Sequence, residues 1–291
     1  MEGESLSGER GRMSNALRIA HGAFGRVALL DMDRPLVRHA HPHCHVLLKV
    51  EGADTQFAVG EGRGPLTDRS CVLVNGWEPH AYVHDPNRPK TIILALYIEP
   101  DWLKTFRPGW VASGGAGFFA QPGGEVSPRI HRLTHDLAAA MMAEPDAKAV
   151  HEALLADLMI AVVERFTPWR SFSIRSLDGQ RRMDWRIRRV VDGMRANLAE
   201  EVDTSTLAKE AGLSRAHFFR LFEASTNVPP RIYLNVMRVE AAVAAVTAEA
   251  GSFTHIGERL GFAAPSHFTR FFRDHTGVTP SEFRAISRIA M

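Results

Sequence analysis

Cysteine is nearly absent: Cys44 and Cys71 are the only two in 291 residues, which excludes a disulfide-stapled scaffold. Residues 1–13, MEGESLSGERGRM, include acidic side chains and no apolar core of the kind a signal peptide needs. A reducing, cytoplasmic setting is therefore expected. Long hydrophobic runs are absent too, since the longest, Ile92 to Ile98, is far below the ~18 residues that suggest a membrane span. With 23 glycines, 16 prolines, 45% hydrophobic and 23% charged residues, the chain is neither collagenous nor disordered; it is globular, with length for about two domains.

Net charge is only +2, but it is unevenly placed. Residues 1–179 hold 19 Lys+Arg against 21 Asp+Glu, whereas residues 180–291 hold 16 against 12, and 15 of those 16 are arginine. Arginine's planar fork suits phosphates and guanine edges, so this end is a candidate for nucleic acid, with a solvated basic face as the competing explanation.

After a polar tail (1–14), expected to be disordered, short apolar runs at 27–30, 46–50, 56–59, 71–74 and 91–98 are broken by Gly, Pro, Asp and Asn. Strands this short and closely spaced predict an antiparallel barrel or sandwich. Residues 102–124 are rich in glycine and aromatics and follow no period. The period then changes to 3.6. Ile130, Leu133, Leu137 and Met141 line one helix, and Leu154, Leu155, Leu158, Met159, Val162 and Phe166 line a second, as core or as a dimer seam. Residues 168–183, with Pro168 and Asp178-Gly179, read as a linker.

The last third repeats itself. His217-Phe-Phe-Arg-Leu-Phe222 returns 50 residues later as His267-Phe-Thr-Arg-Phe-Phe272, and Thr226-Asn-Val-Pro-Pro230 returns as Thr276-Gly-Val-Thr-Pro280. Leu207-Ala208 and Gly212-Leu213 return at an offset of 49 as Ile256-Gly257 and Gly261-Phe262, so the second turn carries one extra residue. Each copy reads as a short helix, a turn at glycine and a second helix closed by Asn227 or Gly277. Phe218, Leu221 and Phe222, like Phe268, Phe271 and Phe272, fall on one helical face and should be core. The opposite face presents Arg215, Ala216, Phe219 and Arg220 in one copy and Ser266, Thr269, Arg270 and Arg273 in the other, the requirement for reading bases in a major groove.

On these motifs, residues 184–291 resemble the AraC/XylS-type DNA-binding domain, two helix-turn-helix units joined by a long helix, here read as 232–246. The resemblance implies a transcription regulator that binds double-stranded DNA and RNA polymerase. Phe219 stands where the family often has a polar base-contacting residue, which implies an apolar contact such as one with a thymine methyl, unless Phe219 is core.

His39, His41, His43 and His45 alternate, and in an extended strand all four project to one side. A second element, Asn75-Gly-Trp-Glu-Pro-His80, adds another histidine. The pair of elements resembles a cupin barrel, in which His39, His41 and His80 match metal-motif histidines and His45 stands near the place of the missing glutamate. Three readings stay open: a divalent transition metal such as Zn, Fe or Ni, a metal-free pocket for a small-molecule effector, or packing. Lys49 shares the parity of the histidines and either reaches an anionic ligand or is displaced by a bulge.

The expected architecture is α+β with two domains: a cupin-like antiparallel β-barrel with flanking helices (15–126), a helical dimerisation segment (127–167), and an all-α double helix-turn-helix (184–291). The expected function is a non-enzymatic, homodimeric regulator switched by a small molecule or metal. The alternative is a cupin metalloenzyme of oxygenase or isomerase type fused to a DNA-binding domain.

Overall fold

The computed structural model describes residues 15–167, 183–200, 203–248 and 250–289. The expected tail and residues 168–182 of the expected linker lie outside the described residues.

The strands are β1 (Asn15–Gly22), β2 (Gly25–Met32), β3 (Cys44–Gly52), β4 (Thr55–Val59), β5 (Gly62–Leu66), β6 (Ser70–Val74), β7 (His80–Val83), β8 (Thr91–Ile98) and β9 (Gly123–Glu125). They form a six-stranded sheet in the order β1-β2-β8-β3-β6-β9 and a three-stranded sheet in the order β5-β4-β7, with all pairs antiparallel. The expected barrel does not close: the described strands make two sheets. One end strand of the large sheet, β9, has only three residues, two of them Gly123 and Gly124, and the other, β1, is packed by a helix from the far end of the chain instead of another strand.

The large sheet is buried on both faces, which explains why β8 reads TIILALYI without alternation. Cys44, Val46, Leu48, Leu94, Leu96 and Ile98 face a helical layer, whereas Leu47, Ile93, Ala95 and Tyr97 share a core with Phe57, Val59, Leu66 and Tyr82 of the small sheet. Both cysteines are buried and unpaired, and burial pushes each thiol up to about 12, so neither serves as a nucleophile near neutral pH.

The helical layer begins in the stretch that has no period. A short helix α1 (Pro100–Phe106) and a 3-10 turn (Pro108–Gly114) bury Trp102 and Trp110 in the core under the sheet, and the irregular chain after them adds Phe118 and Phe119. Helix α2 (Pro128–Ala143) starts where the Ser127 hydroxyl accepts a bond from the Ile130 N–H and Pro128 takes the first turn. It packs with α3 (Lys148–Phe166). Leu137 and Leu158, expected at a dimer seam, are 1% and 0% exposed because this chain's own sheet covers them; the exposed large apolar residues on these helices are Met142 and Val150.

The C-terminal part is α4 (Trp185–Ala196), α5 (Thr204–Glu210), α6 (Arg215–Thr226), α7 (Pro230–Ala248), α8 (Phe253–Arg259), α9 (Pro265–Thr276) and α10 (Pro280–Ile289). Pairs α5/α6 and α8/α9 are the two copies of the repeat. Asn227 (φ 62°) and Gly277 (φ 84°) close α6 and α9 in the left-handed conformation, as the sequence predicts. In each copy a buried threonine hydroxyl fastens that exit: Thr226 donates to Phe222 O at 2.9 Å, and Thr276 to Phe272 O at 2.8 Å. The first copy is built around Phe218, Phe222, Tyr233 and Ile187, while the core of the second copy, with Phe268, Phe272, Val278 and Phe283, is continuous with the interior of the sheets.

Candidate functional site

Two candidate surfaces emerge, one on the repeat and one where the repeat meets the sheets. On α6, Arg215, Ala216 and Arg220 are exposed and Phe219 is half-buried; on α9, Ser266 and Arg270 are exposed and Thr269 and Arg273 are half-buried. The Phe219 ring lies 6.2 Å from Phe218 and 6.0 Å from the Arg215 guanidinium, so it leans on the core with one edge outward. The helical period creates this division: Phe218 and Phe222, or Phe268 and Phe272, are four apart and turn inward, which turns Arg220 and Arg270 outward at matching places. Not every arginine of the basic end is available. Arg238 bonds the carbonyls of Leu198 and Glu200, Arg284 those of Val246 and Gly251, and Arg186 pairs with Asp184.

The histidines assemble from three elements. Pro42 interrupts the expected alternation, and β3 begins only at Cys44. His43 consequently leaves the group and bonds the Glu99 carboxylate at 2.9 Å. His39 is brought to His80 by a single antiparallel bridge, with N–H to O distances of 2.9 and 2.8 Å in the two directions. Ring centroids stand 4.4 Å apart for His39 and His80, 4.9 Å for His39 and His41, and 5.1 Å for His41 and His80. Ligand-capable atoms of these three all lie within 4.8 Å of one another. His45 packs beside them, 5.4 Å from His41, with its ring against Tyr97 at 4.1 Å.

All four are buried, at 4%, 2%, 2% and 1% exposure for His39, His41, His45 and His80. Burial, reinforced by the neighbouring imidazoles, holds His39 and His41 well below the usual histidine range, and burial holds His45 and His80 at about 3. Neutral rings follow, and their tautomers are set by backbone carbonyls: Nδ1–H of His39 donates to Val37 O, that of His45 to Leu96 O, and that of His80 to Glu78 O. His80 Nε2 and both ring nitrogens of His41 are buried with no hydrogen-bond partner among the described residues. Such a donor set fits a borderline divalent metal or a polar ligand. Lys49 is separate, its ammonium held by Asp54 at 2.7 Å and Asp68 at 3.0 Å, with a register shift just beyond it in β3.

Sequence reasoning missed the partners across the site. The segment from Leu36 to His41 lies between the sheets and the repeat: Val37 N–H reaches Asp274 O at the end of α9, and His39 faces His275 at 6.3 Å. His41 Nδ1 stands 3.8 Å from Glu240 Oε1 on α7. Trp77, in the same loop as His80 and itself left-handed (φ 62°), stacks on Tyr233 of α7 at 4.7 Å with the planes 3° apart. Arg26 covers the Tyr97 ring at 3.8 Å and points toward Phe283 of α10. A cleft of about 370 Å³ opens beside it, lined by Arg26, His43, Tyr97, Glu99 and Glu240 among others. The one signal available in the sequence was Glu240 itself, an acid at helical spacing within the apolar stripe Val236, Val239, Val243.

Residues 207–286 match the helix-turn-helix domain family HTH_18. The HTH-type transcriptional activator RhaS of Escherichia fergusonii is 31% identical over 108 residues, which is 37% of this chain and 39% of that protein. A transcriptional regulator of Chromobacterium violaceum, described as containing an AraC-type DNA-binding domain, is 30% identical over 35% of this chain and 91% of the solved chain, with a TM-score of 0.34. A solved structure of ToxT from Vibrio cholerae is 12% identical but covers 92% of this chain and 99% of its own, with a TM-score of 0.57, a likeness of fold that spans sheets and helices together. The relatives are transcription regulators, not enzymes. Residues 207–286 are thus a helix-turn-helix domain of the AraC/XylS family.

Proposed function

We propose that the protein is a sequence-specific regulator of transcription that binds double-stranded DNA through α6 and α9, with its sheet domain as the sensor of a small molecule or metal. The single observation that carries this reading is the pair Arg220 and Arg270, exposed at matching positions on the second helices of two copies of one unit. Each would read a base edge in successive major grooves, with Arg215, Ala216, Phe219, Ser266, Thr269 and Arg273 around them. The sensor side rests on the buried histidine cluster, which touches α7 and α9 directly, so a change there biases the DNA-binding half without a long relay. A homodimer, formed through the outer faces of α2 and α3, and contact with RNA polymerase belong to the same reading.

The test is selection of a binding site from random DNA with the full chain, followed by Arg220→Ala and Arg270→Ala. Each should lose about 1–3 kcal/mol on the selected site and relax preference at one part of it. Footprints should show two patches about one helical turn, roughly 10 bp, apart. Equal loss on selected and random DNA would reduce both arginines to phosphate contacts.

A further inference from the structure

We propose that His39, His41 and His80 bind one divalent first-row transition-metal ion, and that Glu240, carried by the helix between the two helix-turn-helix units, completes its coordination. The ion then bolts the sensor to the DNA-binding half. This deepens, and rests on, the reading of the histidine cluster as the effector site.

Four features carry the proposal. The three imidazoles have atoms within 4.8 Å of one another, while ligands of a tetrahedral ion with bonds of ~2.0–2.2 Å stand about 3.4 Å apart, so small inward shifts close the set. His39 and His80 each donate Nδ1–H to a backbone carbonyl, the outer-sphere arrangement that fixes a metal-ligating tautomer with the Nε2 lone pair free. The remaining polar atoms are orphaned: among the described residues, His80 Nε2, His41 Nδ1 and Nε2, and Glu240 Oε1 are all buried without a hydrogen-bond partner. Lastly, the His41 to Glu240 separation of 3.8 Å is too long for a hydrogen bond, and among the described residues no lysine or arginine nitrogen lies within 4 Å of that carboxylate.

An ordinary ion pair between His41 and Glu240 explains less. Such a pair would leave His80 Nε2 unsatisfied. The charge balance also asks for a carboxylate. Arg26 lines the same cleft as Glu240 and opposes a cation placed nearby; a neutral three-histidine set offers nothing to offset it, whereas Glu240 does. Glu240 belongs to α7, so the fourth ligand exists only while the two halves are docked. Metal occupancy and docking are thereby linked, and each must strengthen the other.

The experiment uses the full chain without a histidine tag, stripped with chelator, and titrated with Zn²⁺ by calorimetry and Co²⁺ by visible absorption. The wild-type protein should take up one ion, with an intense Co²⁺ spectrum of low coordination number, and Zn²⁺ should change affinity for the selected DNA at least fivefold. His41→Gln and His80→Gln should lose the ion. Glu240→Gln, which keeps the three imidazoles, should bind at least tenfold more weakly, with a shifted Co²⁺ spectrum and no effect of Zn²⁺ on DNA affinity; Glu61→Gln, an exposed acid in the turn between β4 and β5, should behave as wild type. If the histidine variants fail to fold, the comparison of wild type with Glu240→Gln decides alone. No uptake by the wild type, or a Glu240→Gln variant equal to it in both readouts, would overturn the proposal while selected-site DNA binding stands. Absence of selected-site binding with metal uptake intact would instead remove the regulatory reading and leave the metal site.

Discussion

Replacing Gly261 with alanine should cost the protein about 1–3 kcal/mol more than replacing Gly212, although the two glycines hold the same place in two copies of one unit. Both are left-handed, Gly212 at φ 65° and Gly261 at φ 83°, so alanine meets the same backbone penalty of ~1–2 kcal/mol at each. Alanine also restricts the unfolded chain by the same amount at each, a gain that cancels in the difference. The surroundings do not cancel. A Cβ at Gly212 meets nothing within 4 Å, whereas one at Gly261 lands 2.2 Å from the Ala199 carbonyl oxygen and 2.7 Å from its Cα. Those are backbone atoms, and Arg238 holds the carbonyls on either side of Ala199. Relief therefore requires roughly 1 Å of main-chain movement, which overpacking in a fixed site prices at ~1–3 kcal/mol. Chemical denaturation of the two variants beside wild type measures the difference, and footprinting on the selected DNA locates it: Gly261→Ala should thin protection under α9, while Gly212→Ala keeps both patches. Equal costs within about 0.5 kcal/mol, or the reverse order, would refute the reasoning.

Acid should weaken the metal-free fold. His45 and His80 sit at about 3 when folded against ~6.5 unfolded, so their share of stability is full above pH 6.5 and is lost as pH falls toward 3; at pH 5 the loss amounts to about 2 kcal/mol each, and a melting temperature flat from pH 7 to 5 would count against the buried neutral cluster. Leu158→Glu should unfold the sheet domain, by about 4 kcal/mol or more, because it buries an unpaired carboxylate, while Met142→Glu with Val150→Glu should leave the melt unchanged and give a monomer by sedimentation if α2 and α3 form the dimer contact. Thr276→Val should cost about 1–2 kcal/mol by leaving the Phe272 and Val278 carbonyls without the hydroxyl they share, read from the thermal melt.

The helical end was the more legible half. Its signal is a repeat of 50 residues whose apolar positions, glycines and caps agree with one another, and each of these acts within a few residues of chain. Thr279 shows how local the information is: its hydroxyl accepts from Glu282 N–H, and the Glu282 carboxylate accepts from Thr279 N–H in return. In the sheet domain, runs such as 91–98 were plain, but β5 was not, because Gly62, Gly64 and Pro65 carry the composition of a turn while pairing as a strand with β4. Residues 102–124 had no period because they form a helix of two turns and a 3-10 turn, each too short to show one. Sheet closure depends on pairing between distant strands, which alternation within a strand does not record. His43 left its neighbours because Pro42 broke the extended conformation that the parity argument needs. Glu240, Tyr233 and His275 lie about 150 residues or more from the histidines and tryptophan they face, and only docking of the two halves puts them on one site.

The unequal sharing of the core between the two helix-turn-helix units has a consequence for how the molecule comes apart. Val243, Phe272 and Phe283 lie in one apolar cluster with strand residues such as Ile19, Leu30 and Ala95, so the second unit and the sheets should open together as a single cooperative block. The first unit owns its cluster almost entirely, with Ala40 and Trp77 as the guests from the other half. Slow amide exchange should therefore divide the chain across α7, with its C-terminal half protected like the strands and its N-terminal half like α6. A fragment cut at residue 184 carries one helix-turn-helix intact and another stripped of a wall, and its second unit should be the one that aggregates.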